Sequence, residues 1–440
     1  MFQTLRDAFK IKDLRRRIGF TFFMLIVVRL GCLLPVPGVD GSAIKQFFED
    51  NQGGAFDFFS AVTGGSFERM SVFALNITPY ITSSIIMQLL TIAFPKLEEM
   101  QRDGEAGRKK MTKITRYLTI GLALGESIAM TIAFGRNGYL ADYSVPYINY
   151  VVAIASLTAG SAVLMWIGER ITERGVGNGI SIVLVINIIS RFPVDISNLY
   201  DQFMSGKTIP KAILAGVVIA AIIVAVVVFV VILQSAERRI PVQYSNKIQG
   251  RRQVGGNSSV IPMRINTAGV IPVIFAQSIL QTPVMLVQFF DKDGVKGVWA
   301  KILDAMSQSN WFNPADWKSS IGAIVYVLMI VGFAYFYTEI TFNPLEIAEN
   351  LKRSGGFIPG IRPGKPTSDY LTAILKHVIF IGAIGLSIVA LLPVVFSGLL
   401  GAKVSFGGTS IIIVVGVIVE TLKQVESQMM VRNYKGFLND

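Results

Sequence analysis

The stretch AILAGVVIAAIIVAVVVFVVIL, Ala212 to Leu233, carries no charge and hardly a polar atom. About 20 such residues take an α-helix across the hydrocarbon core of a bilayer, so this run reads as a membrane span facing lipid. Outward from it, nine further runs qualify or nearly do: Ile18 to Leu34, Val72 to Phe94, Ile114 to Phe134, Tyr147 to Ile167, Val176 to Ser190, Thr267 to Phe290, Ser319 to Thr338, Leu371 to Val395 and Val404 to Val419. The fifth and tenth in chain order are short, which predicts that the other helices enclose them. The first ends in Pro35-Val36-Pro37-Gly38 without a small-x-small cleavage site and reads as an uncleaved span. Composition agrees: the 440 residues are 52% hydrophobic and 16% charged, with mean hydropathy +0.55, whereas soluble domains carry about a quarter charged residues. The expectation is one all-α polytopic membrane domain of ten helices.

Net charge is +12, from 41 Lys and Arg against 29 Asp and Glu. With a cytoplasmic N-terminus, 27 of the 41 basic residues fall in inside loops or termini and 11 in outside loops. The positive-inside rule therefore predicts both termini in the cytoplasm, and most of the excess charge needs no nucleic acid to explain it. Cys32 and His377 are the only residues of their kinds. They form no metal-ligand set and no intrachain disulfide, and they argue against His-based acid–base or Cys-based nucleophilic catalysis. No cofactor or metal is expected.

The two halves echo each other. At constant offset Pro79 pairs with Pro272, Ile81 with Ile274 and Gln88 with Gln281, and Gly179 to Val185 can be written over Gly408 to Val414. The paired spans are the second with the seventh and the fifth with the tenth. Five spans per half is odd, so repeats of this kind lie in opposite orientations, as in transport proteins. The division falls at residues 1–205 and 206–440.

Three features are candidates for function. In the loop from Pro35 to Ser71, glycine pairs flank Ala55 to Val62 and permit sharp turns. A short aromatic helix can then fold back into a cavity; an interfacial helix lying on lipid fits these residues at least as well. Charges inside spans are rare, and Arg29 and Glu126 are the two. Glu126 can join Gln88 and Asn266 in a polar contact between helices, or make a single structural hydrogen bond. Lastly, the cytoplasmic loops 234–266 and 339–370 exceed what a connector needs. The first holds Arg238, Arg239, Arg251 and Arg252, and the second ends in a stiff turn, Gly360 to Pro366, around Arg362. Such a presented shape suits docking on a partner.

Six segments together resemble the bacterial SecY family, the channel-forming subunits of protein-translocation complexes. They are Pro35 to Asp40, Phe73 to Ile81, Gly177 to Ser181, Asn266 to Pro272, Gly360 to Gly364 and Phe406 to Ser410, and they run in family order over nearly the whole chain. The resemblance implies an hourglass pore between two five-helix halves. Its waist ring would be Ile77, Ile81, Ile180, Leu184, Ile274 and Ile413, with Leu184 a mild departure from the family's usual isoleucine. A plug at about residues 55–65 would include Phe56, Phe58, Phe59, Val62, Gly64 and Gly65. A lateral gate of the second, third, seventh and eighth spans would carry Thr82, Gln88, Glu126, Asn266 and Thr282; many relatives have a neutral amide in place of Glu126.

The implied function is passage of unfolded secretory polypeptides across the bacterial cytoplasmic membrane, with lateral release of membrane segments into lipid. The implied partners are SecE-type and SecG-type membrane subunits, a SecA-type ATPase, the ribosome, signal sequences and the lipid bilayer. Motor or ribosome docking would fall on Arg238, Arg239, Arg251, Arg252 and Arg362. No Gly-x-x-x-x-Gly-Lys-Ser/Thr loop occurs, so energy must come from a partner. The alternatives are a secondary small-molecule transporter with inverted repeats and, less well supported, a membrane-embedded hydrolase.

Overall fold

The computed structural model describes residues 6–436 apart from 7–8, 42, 45, 47–59, 61–62, 137, 141–145, 206–208, 245–246, 250–251, 255–257, 291–296, 309–310, 313–319 and 401–407. The chain divides into two compact units, Met1–Asn198 with Val284–Ala300 and Glu420–Asp440, and Leu199–Pro283 with Lys301–Val419.

Helices α1 (Lys12–Gly31), α2 (Thr78–Ala93), α3 (Pro95–Arg102), α4 (Gly104–Arg136), α5 (Pro146–Arg174) and α6 (Gly179–Phe203) build the first unit. Helix α2 breaks where Pro95 forces the preceding Phe94 into extended backbone (φ −119°), and α3 leaves at 110°. Two apolar clusters dominate the core of this unit. One joins Val28 of α1 and Cys32 just past its end to Phe73, Ile77, Leu164, Ile167, Ile171 and Val183; the other gathers Val36, Ile44, Phe67 and Met70 against α4 and α5. Gly160 lets the loop before α2 lie directly on α5, because a Cβ there would sit 1.9 Å from the Val72 carbonyl oxygen.

The second unit begins with α7 (Ile209–Ser235), followed by strands β1 (Glu237–Tyr244), β2 (Lys247–Gln249), β3 (Arg252–Val254) and β4 (Ser258–Arg264). Then come α8 (Ile271–Phe290), α9 (Val298–Met306), α10 (Ile321–Thr341), α11 (Pro344–Arg353), β5 (Gly356–Phe357), α12 (Lys365–Leu400) and α13 (Gly408–Gly436); α8 from Val284, α9 to Ala300 and α13 from Glu420 count with the first unit, and α6 from Leu199 with the second. Its core packs Val226, Val230 and Leu233 of α7 with Val273, Ala276, Tyr326, Ile330, Leu386, Val389 and Ile412. Ile213, Leu214, Val217, Val224 and Ile232 of α7 stay exposed, as a lipid-facing helix requires.

Six helical stretches among the described residues are long and apolar enough to cross a membrane: α4, α5, α6, α7, Ile321–Arg353 and α12; the bent pair α2 and α3 makes a seventh. Helices α1, α8 and α13 overlap the first, seventh and tenth expected runs, so among the described residues each of the ten meets a helix. Two lengths differ from expectation. The fifth helix is not short: it runs 25 residues, and only 33% of its most apolar window is buried. The apolar run stops at Arg191, but arginine is a good helix former and the helix continues to Phe203, with the Arg191 guanidinium paired to Glu68 at 2.6 Å. The tenth likewise runs 29 residues, well past Val419.

Candidate pore, gate and docking surfaces

All six expected ring positions lie at the starts of helices. In the first unit Ile77 immediately precedes α2 and is fully buried in the core. Ile81 and Ile180 pack partly buried against the same cluster, and Leu184, one turn further along α6, is buried. In the second unit Ile274 is half-buried and Ile413 buried. Neither belongs to the core cluster, although their neighbours Val273, Ala276, Ile411 and Ile412 do. Each unit thus brings branched aliphatic side chains to the first two turns of two helices.

The loop leading into α2 is held by polar contacts that the sequence reading missed. Asn76 adopts a left-handed backbone (φ 51°), which asparagine tolerates better than most residues, and is fully buried. The Asn187 amide donates to its side-chain oxygen at 3.1 Å, and the Ser161 hydroxyl donates to its carbonyl at 3.3 Å. Upstream, Gly64 (φ +65°) passes so close to α6 that a Cβ would meet the Asn187 carbonyl oxygen at 2.7 Å. Glu68 takes both guanidinium nitrogens of Arg191, each at 2.6 Å, and accepts a further bond from the Ser60 hydroxyl. Of the expected plug, Gly64 and Gly65 lie here; Phe56, Phe58, Phe59 and Val62 lie outside the described residues.

Among the expected gate residues, Thr82 and Gln88 are half-buried on α2 and Glu126 half-buried on α4, two helices that pack together. Among the described residues no hydrogen bond joins Gln88 to Glu126. Ser83 on α2 and Thr119 and Ser127 on α4 are buried, and the Ser127 hydroxyl lies 2.9 Å from that of Thr158 on α5. Asn266 is 6% exposed and its amide nitrogen has no hydrogen-bond partner. Thr282 lies on α8, with its side chain outside the described residues.

The two long loops turn out to be one structure. Strand β1 pairs antiparallel with β4, from Glu237 opposite Arg264 to Gln243 opposite Ser258. Its far end pairs with β5, Gln243 opposite Phe357 and Tyr244 opposite Gly356, giving the sheet order β4-β1-β5. Alternation along β1 turns Ile240 and Val242 inward, where with Met263 they pack on Leu351, Ile358, Leu371 and Leu375. Arg238 and Arg239 face outward, Arg239 paired with Glu237 at 2.8 Å. Helix α11 starts on an Asn343 cap that accepts from the Leu345 and Glu346 amides, with Pro344 in the first turn. After β5, Arg362 is exposed in a turn closed by the Thr367 hydroxyl, which donates to the Arg362 carbonyl at 2.8 Å. Arg251 lies outside the described residues, and Arg252 is in β3 with its side chain outside them. Short strands in polar, glycine-rich loops have no periodicity strong enough to announce them, and β5, which pairs with β1, is more than a hundred residues away.

Comparison with known proteins follows this geometry. The family model described as SecY matches residues 71–422. A protein translocase subunit SecY from Streptomyces scabiei is 42% identical over 452 aligned positions, covering 100% of both chains. The solved structure described as "The plug domain of the SecY protein stablizes the closed state of the translocation channel and maintains a membrane seal" shares the fold, with TM-score 0.62, 19% identity, and coverage of 94% of this chain and 92% of that one. Another, from a canine ribosome–channel complex of the endoplasmic reticulum, gives TM-score 0.59 at 17% identity, covering 94% of this chain and 92% of that one. With a family model spanning most of its length and a full-length relative at this identity, the chain belongs to the SecY family of protein translocase subunits.

Proposed function

We infer that this chain is the protein-conducting channel of a Sec translocase in a bacterial cytoplasmic membrane, moving unfolded polypeptides across the bilayer and releasing membrane segments sideways into lipid. The full-length 42% identity to a SecY translocase subunit carries this reading. A pore for chains of any sequence cannot read side chains, so it needs no charged filter. It needs an apolar constriction that excludes ions by dewetting and yields when a peptide fills it. Ile77, Ile81, Ile180, Leu184, Ile274 and Ile413 are the residues for that role. A plug at residues 55–65 would seal the resting channel. Thr82, Gln88, Glu126, Asn266 and Thr282 would belong to a lateral gate, where weak helix contacts and a few exchangeable hydrogen bonds favour opening.

The charge distribution supports cytoplasmic termini and, with them, a cytoplasmic position for the β4-β1-β5 sheet and the Arg362 turn. This face suits a SecA-type ATPase or a ribosome, which would supply the energy; SecE-type and SecG-type subunits would complete the membrane complex. Reconstituted vesicles test the reading. ATP- and motor-dependent uptake of a presecretory polypeptide is the expected result, and gradient-driven uptake of a small solute with no polypeptide transport would overturn it.

A further inference from the structure

The segment following the expected plug is fastened to α6 by a charge pair that lies off the ring and off the gate. Arg191 presents its planar fork to Glu68, with two nitrogen–oxygen distances of 2.6 Å, the side chains being 14% and 23% exposed. A bidentate geometry of this kind is directional and resists sliding. The Ser60 hydroxyl donates to the same carboxylate, and the Gly65 amide donates to the Ser60 carbonyl at 3.0 Å. Gly64 and Gly65 have positive φ (65° and 78°), and a Cβ on Gly65 would lie 3.3 Å from the Arg191 guanidinium. Ser60 and residues 63–68 therefore form a folded root: Phe67 is buried in the apolar core beside α4 and α5, and the ion pair with the Ser60 bond ties the root to α6.

We propose that Glu68 and Arg191 are a positioning pair for the plug: their ion pair docks its C-terminal root on α6 and sets how firmly the resting channel is closed. This rests on the reading of residues 55–65 as a plug. Phe67 fixes the root to the core, whereas the mostly buried charge pair fixes its orientation on α6 while water is kept out and loses that hold once water reaches it. Weakening it shifts the closed-to-open balance without disturbing the buried Asn76–Asn187 contact next to it.

The test is resting conductance of the reconstituted complex in planar bilayers, together with the minimum signal-sequence hydrophobicity that supports transport. Glu68→Gln and Arg191→Gln should each raise the resting open fraction about tenfold, the factor corresponding to 1.4 kcal/mol. The exchange Glu68→Arg with Arg191→Glu should restore it to within about twofold of the parent, as coupled residues do in a double-mutant cycle. Ser60→Ala, which leaves the pair intact, should produce a smaller rise and serves where a charge variant fails to assemble. Deleting Phe56 to Val62 must leak by itself, and Glu68→Gln added to that deletion should add nothing, because no plug remains to be positioned. Single variants as tight as the parent beside a leaking deletion would overturn the positioning role. An additive leak in the deletion background, or no rescue by the exchange, would reduce the pair to a structural contact. A silent deletion would instead refute the plug reading.

Discussion

Ile240→Ala probes whether the three-stranded sheet is a docking platform or only a topological loop. Ile240 is 2% exposed, centred on β1, and packs with Val242, Met263, Leu351 and Leu371. Truncation removes three buried carbons, about 2.4 kcal/mol at ~0.8 per carbon. The cavity left under the sheet takes the cost further into the range of about 2–5 kcal/mol. The ratio of loosened to docked sheet then rises about fiftyfold or more, since each 1.4 kcal/mol is a factor of ten. Val260→Ala on the neighbouring strand is the control: Val260 is 50% exposed, and its truncation should cost under about 1 kcal/mol. Hydrogen exchange of the β1 and β4 amides in the reconstituted complex reads the loosening, and ATP-driven translocation reads the consequence. The expected result is fast exchange with a severe loss of motor-driven transport for Ile240→Ala, and neither for Val260→Ala. Fast exchange with transport at the parental rate would refute the platform.

Other substitutions test neighbouring parts of the account. Arg362→Glu should strongly reduce motor-driven translocation while leaving complex assembly and insertion intact, because orientation is set by many loop charges; Arg251→Glu should be milder, and equal rates for Arg362→Glu and the parent would leave the turn a topology signal only. Replacing Gln88, Glu126 or Asn266 with leucine should move the signal hydrophobicity needed for insertion, since interhelical polar contacts in membranes contribute about 0.6–2 kcal/mol; an unchanged threshold in all three removes their gating role. Gly160→Leu should prevent the Val72 carbonyl from lying on α5, where a Cβ would come within 1.9 Å, and should lower the yield of folded complex on extraction far more than Gly332→Leu, where a Cβ meets nothing within 4 Å.

Each span was legible because a run such as Ala212 to Leu233 has no other stable fate in a chain this apolar. What hydropathy could not convey is contact at a distance. Arg191 ends an apolar run and so shortened the fifth expected span, yet the helix runs on to Phe203, and the partner of its charge, Glu68, is 123 residues away. The strands of the basic loops were invisible for a related reason: β1 owes its partner β5 to a segment beyond four intervening helices, and β2, β3 and β5 are only two or three residues long. Asn76 and Asn187 gave no signal either, since a buried amide pair looks in sequence like two unremarkable polar residues. Whether Glu126 joins Gln88 and Asn266 in a polar contact or makes a single structural hydrogen bond depends on depth and rotamer, which spacing along a helix does not encode.

The seal is the central claim, and single-channel recording on the reconstituted complex tests it most directly. Ile81 and Ile274, paired by the repeat, are replaced together by asparagine, in the parent and in a chain lacking Phe56 to Val62. An apolar ring leaves ions no substitute for their hydration shells, so polar replacements should let water enter and raise resting conductance; combining them with the deletion should leak far more than either change alone. A combined variant as ion-tight as the parent would mean that these side chains pack a core and line no pore.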